Sequence, residues 1–138
     1  MRVSWLRACA ATPAVLLAAF FCFVGWNKAF ATLAALARYG AWTVWLPEWL
    51  GRLVGWSEMA CAVALLTIFV PGRERIARAA AAILLANQVV AAAVHLAHAE
   101  LRALPQNAVL VILLLGVVLA AGKLTQRNTH LSSQGVVG

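Results

Sequence analysis

Apolar positions in this chain come in long uninterrupted runs, and the polar ones gather at the breaks between them. A bilayer core about 30 Å thick takes about 20 apolar residues per helix, so such runs predict membrane spans, and the chain has room for about four. Thr12-Pro13 suits a helix start, with proline at the first helical position, and the charge-free run 14–26 follows. The first span is expected over about 13–37, continuing through Lys28 toward Tyr39, with Gly40 as its stop. The segment 41–52 gathers Trp42, Trp45 and Trp49 around Pro47 and reads as an interfacial loop or short helix. Later spans are expected over about 53–70, halted by Pro71-Gly72, then 79–99 and 107–122. The predicted fold is all-α: a transmembrane four-helix bundle forming one domain over 1–123, followed by a polar, frayed tail over 124–138.

Composition removes the soluble alternatives. The 138 residues are 64% hydrophobic and 11% charged, with a mean hydropathy of +0.90, and no room is left for a soluble domain. A net charge of +7 would suggest nucleic acid in a soluble protein, but here the basic residues punctuate apolar runs, so they read as topology signals. With four spans both termini share a side, which then holds Arg2, Arg7, Arg73, Arg75, Arg78, Lys123 and Arg127. The other side holds Lys28, Arg38, Arg52 and Arg102, so the positive-inside rule makes both termini cytoplasmic. Arg2, Arg7 and Ala29-Phe30-Ala31 are also ingredients of a secretory signal peptide, but the apolar run is long for one and Lys28 would sit beside the cleavage site. Cys9, Cys22 and Cys61 form no CxxC pair and no metal spacing.

Candidate chemistry lies where polar residues enter the spans, because such residues are costly there and face a bundle interior or a cavity. At 1.5 Å per residue, Lys28 lies roughly 22 Å from Pro13, within about 10 Å of the outer surface, and Glu58 lies roughly 8 Å below Leu53. The two are therefore at matching depth and can pair, either as a packing device or as a proton or ligand site. Asn27 adds an amide at that level, and Trp26 and Trp56 flank it as expected pocket walls. On the third helix Gln88, His95 and His98 form a polar stripe; Glu100 ends that helix and Asn107 opens the next on the same side. The expected site is thus a polar pocket of Asn27, Lys28, Glu58, Gln88, His95, His98, Glu100 and Asn107 in the outer half, above an inner half of almost pure Ala, Leu, Ile and Val. The His95 and His98 spacing is weak evidence for metal, and no metal site is expected; hydrogen-bonded histidines, proton handling or quinone-type chemistry stay open. No catalytic residue is assigned.

Two of these motifs carry a resemblance. Gly25-Trp26-Asn27-Lys28 and Gly55-Trp56-Ser57-Glu58, the latter reached through LPEWLGRLVGWSE, resemble the Gly-x-x-Lys and Gly-x-x-Glu elements of the DoxX-like membrane proteins, from about Val15 to Lys123. That resemblance implies a small four-helix bundle. Some such proteins are associated with respiratory oxidation of thiosulfate to a quinone, others with membrane partners in thiol or oxidative-stress handling. Lys28 and Glu58 carry over as motif residues without an agreed role, whereas His95 and His98 match no family-wide motif.

The expectation is accordingly a multi-pass protein of a bacterial inner membrane, acting as an accessory subunit of a membrane redox system. The alternatives are a small transporter or binder of an amphipathic molecule, or a structural membrane protein. The lipid bilayer is its expected partner, with other membrane proteins beside it and no nucleic acid; quinone is a compatible cofactor, and the oligomeric state is not read from sequence.

Overall fold

The computed structural model describes the backbone of residues 2–134 and, among their side chains, those of Ala8 and of 10–127. Arg2, Arg7 and Cys9 from the sequence argument, and the last four residues of the expected tail, therefore lie outside the described side chains or backbone. Five α-helices follow in order, α1 (Arg2–Phe30), α2 (Leu33–Arg38), α3 (Glu48–Leu65), α4 (Glu74–Ala97) and α5 (Leu104–Gln134), with short 3-10 turns at Trp42–Trp45, Leu66–Phe69 and Leu101–Ala103. No strand occurs among the described residues.

Four helical stretches are long and apolar enough to cross a membrane: Ala10–Phe30, Glu48–Phe69, Glu74–Ala97 and Leu101–Arg127. They surround one core in the cyclic order α1, α3, α4, α5, with α1 packed most extensively on α3 and α4 on α5. Neighbours run antiparallel: the end of α1 meets the first half of α3, and Gly122 of α5 lies beside Arg78 near the start of α4. Away from the Lys28 end the core is Ala14, Leu17, Leu65, Ala77, Ala81, Leu84, Leu114 and Ala121, small and branched residues that let helices approach where water supplies no hydrophobic drive.

The boundaries depart from the sequence expectation for identifiable reasons. Pro13 lies inside α1 rather than at its start. A spanning helix tolerates the lost hydrogen bond, and the upstream residues are good helix formers in their own right. At the other end, the expected continuous span to residue 37 breaks after Phe30. The Thr32 side chain accepts from Ala35 N at 3.2 Å and starts α2 as a separate helix, so a local side-chain bond competes with continuation of α1. Gly40 does stop the chain as expected, with φ +64 and its N–H on Ala37 O, but it ends α2. The second span begins earlier than expected, at Glu48 directly after Pro47, and α5 continues to Gln134 through the segment expected to fray.

Candidate functional site

Two glycines and two charges of opposite sign join α1 to α3. In Gly25-x-x-Lys28 and Gly55-x-x-Glu58, a spacing of three sets each glycine beside its charged residue on one helix face. A methyl group on Gly55 would lie 2.7 Å from both Ala29 N and Gly25 O, and one on Gly25 would lie 2.7 Å from Gly55 O. The backbones touch where only glycine fits. That approach delivers Lys28 Nζ to Glu58 Oε1 at 2.6 Å, with Lys28 3% and Glu58 1% exposed. Asn87 Nδ2 of α4 donates to the same Glu58 oxygen at 2.6 Å, and Trp42 lays its ring 5.4 Å from the ammonium. Glu58 Oε2 is buried without a hydrogen-bond partner among the described residues.

Arg52 closes the end of α1. Its Nη1 donates to Lys28 O at 3.0 Å and Ala31 O at 2.6 Å, and its Nη2 bridges to Glu48 Oε1 at 2.9 Å. A guanidinium from α3 thus satisfies carbonyls that the break after Phe30 leaves without helical partners. The same end of α4 is turned by Ala99. With φ 57 it occupies the left-handed position after the helix, where glycine is usual, while Ala99 N donates to Leu96 O and Glu100 N to His95 O. This fold-back brings Glu100 Oε2 to within 2.7 Å of Nδ1 of the buried His95.

Between these elements lies a cavity of about 740 Å³, lined by α1, the α2 region, the end of α4 and the start of α5. Phe20, Phe23, Val24, Leu36 and Leu110 supply its apolar wall; Asn27, Lys28, Gln88, His95, Glu100 and Asn107 supply polar lining, with Tyr39 and Trp42 beside them. Seven of the expected pocket residues, the pair included, therefore meet at one end of the bundle. Glu58 reaches the cavity only through Lys28 and is not part of its lining.

His98 departs from the expectation. It is exposed and stacks on Trp45, ring centroids 3.7 Å apart and planes 6° apart, so it does not share a focus with His95. A helical stripe should have kept the two together, but α4 ends at Ala97 and His98 belongs to the turn. Trp26 and Trp56 do not wall the cavity either. Both are exposed on the outer surface of the bundle, each in ring contact with Phe30. The aromatic wall comes instead from Trp42, which had read as an interfacial ring but is 5% exposed. Nor is the opposite half wholly apolar, because Glu74, in the first turn of α4, is 2% exposed there. Neither described cysteine lines the cavity, and Cys22 and Cys61 are both free thiols.

The residues missed by sequence were Asn87 and Arg52 as binding partners, and Ala99 as a turn. Asn87 had a signal: an amide in an Ala- and Val-rich span needs a partner as much as its neighbour Gln88 does.

The chain matches the family model described as the DoxX-like family over residues 12–117. No curated protein and no solved structure matches it.

Proposed function

The chain belongs to the DoxX-like family of membrane proteins, and from that premise we propose that it binds a small amphipathic molecule in the cavity beside Lys28. The observation that carries this reading is the cavity itself, about 740 Å³ and lined by both apolar and polar side chains. A site of that size and lining suits one small ligand with an apolar body and a polar head. The Lys28–Glu58 pair, the Arg52 clamp and the Ala99 turn act in this reading as the frame that holds the cavity open.

The same proposal sets the protein in a bacterial inner membrane as a multi-pass protein, with both termini cytoplasmic and the cavity at the outer face. The positive-inside rule supports this orientation. Arg73, Arg75, Arg78, Lys123 and Arg127 lie at the end away from the cavity, whereas the cavity end holds Lys28, Arg38, Arg52 and Arg102, of which Lys28 and Arg52 are engaged with Glu58 and with Glu48. An accessory role in a membrane redox system is a second part of this proposal, supported by the resemblance of the Gly-x-x-Lys and Gly-x-x-Glu elements; it adds a partner protein rather than a residue, and co-purification from native membranes reads it out.

Binding is tested by extracting small molecules from protein purified out of native membranes, for the parent chain and for Val24→Trp, which fills the cavity from α1. The expected result is one amphiphile near one per chain in the parent, lost in the variant without a change in melting. Extracts holding only bulk lipids in membrane proportions, alike in both proteins, would sink the reading.

A further inference from the structure

Among the described residues, four buried side-chain polar atoms lack a hydrogen-bond partner: Trp42 Nε1, Thr43 Oγ1, Glu58 Oε2 and Asn107 Nδ2. Only Trp42 and Asn107 of these four residues line the cavity. Both are more than nine-tenths buried, at 5% and 6% exposure. Their unmet atoms have one sign, since an indole nitrogen and an amide nitrogen can only donate. Lys28, also in the lining, has three N–H groups and spends one on Glu58. The acceptor lacking a partner, Glu58 Oε2, faces elsewhere than the cavity lining.

The buried cation of the lining already has its counterion. The Lys28 ammonium is held by Glu58 at 2.6 Å, and Glu100 is engaged with His95. Arg102 also lines the cavity but is exposed, so no buried cation is left without a counterion for an anionic head. A cationic or donor-rich head would meet nitrogen donors that need the opposite. Buried donors left unmade cost far more than a donor–acceptor pair gains, so occupancy should be decided by what satisfies Trp42 and Asn107.

We infer that the cavity selects an uncharged amphipathic molecule whose head presents at least two acceptor oxygens, received by the Trp42 indole N–H and the Asn107 amide. This rests on the binding reading above and narrows it to a chemical class. The apolar body lies against Phe20, Phe23, Val24 and Leu110, and Lys28 adds a third donor to the head without contributing net charge.

The full chain in zwitterionic lipid nanodiscs is titrated with methyl octanoate, octanoate, octylamine and octane, which differ in the head. The readouts are the dissociation constant and the indole N–H resonance of Trp42, assigned by its loss in Trp42→Phe. Methyl octanoate is expected to bind saturably and move that resonance downfield, with the other three weaker by about tenfold or more, the scale of one hydrogen bond or one stranded donor. Asn107→Leu and Trp42→Phe should each weaken the ester by about tenfold. Asn107→Asp keeps the shape while replacing a donor by an acceptor, and should weaken it at least as much, which guards against a Leu variant that packs badly. Octanoate or octylamine binding as tightly as the ester, or ester binding unaltered in these variants, would overturn the inference and leave the binding reading standing. Saturable binding of none of the four would remove the binding reading itself.

Discussion

The two halves of the bundle use different means to hold the same helices together. In the half away from Lys28, Ala14, Ala77, Ala81, Leu84, Leu114 and Ala121 interlock, and each contact is replaceable because many small ones share the load. In the other half Lys28, Thr43, Glu58, Gln88, His95 and Asn107 are buried beside a cavity, and a few contacts fix the geometry: one glycine pair, one ion pair, one guanidinium. Removing a methyl group from the first half leaves a void; removing one atom group from the second strands a charge or forces backbones apart. Apolar packing supplies adhesion, and the costly polar half supplies position.

The sharpest way to break that contrast is to strand one charge. Lys28→Met or Glu58→Gln alone should destabilise the bundle by about 3 to 5 kcal/mol, while the double change should cost clearly less, because it leaves no unmatched buried charge. Melting of the three variants in detergent decides it, and single variants that melt like the parent would mean that the pair contributes no constraint. A smaller effect is expected from the backbone contact. Gly55→Ala drives a methyl group against Ala29 N and Gly25 O and should cost about 1 to 3 kcal/mol. Gly116→Ala, which meets nothing within 4 Å, should stabilise by up to about 1 kcal/mol through helix propensity. Equal effects at the two glycines would erase the distinction drawn between the halves. Of the destabilising changes the mildest should be Arg52→Met, which frees Lys28 O and Ala31 O at the end of α1 and should cost about 1 to 2 kcal/mol. Hydrogen exchange at the amides of 31–36 would locate that loss, and unchanged protection there would remove Arg52 from the frame.

How much of this was legible in the sequence depended on whether the signal was local in depth or local in contact. Hydropathy and a rise of 1.5 Å per residue were enough to set Lys28 and Glu58 level, since depth in a bilayer is a one-dimensional quantity that counting recovers. Rotation about the helix axis is not recovered by counting. Trp26 and Trp56 stand at the right depth and point outward, whereas Asn87, one residue from the expected Gln88, points at Glu58. The turns were harder still. Ala99 in a left-handed conformation contradicts residue preference, so nothing local marked it, yet it is what carries Glu100 back to His95 and takes His98 out of the stripe. Thr32 is a residue type that caps helices, and the expected continuation of the first span to 37 ran through it.

The ion pair also sets an order of events during synthesis. Lys28 and Glu58 are separated by 30 residues of chain, so the first span exists for a time with its ammonium and no counterion. At roughly 5 to 20 residues per second that interval lasts about 1.5 to 6 s. Over it the span carries an unpaired charge if it enters the lipid alone, at a cost below the roughly 3 kcal/mol of a lysine at a helix centre because Lys28 lies in the last turn of α1. Arg52 is also made within that interval, and it brings the donors that the end of α1 requires. The first two spans therefore have a shared reason to leave the insertion machinery as one hairpin.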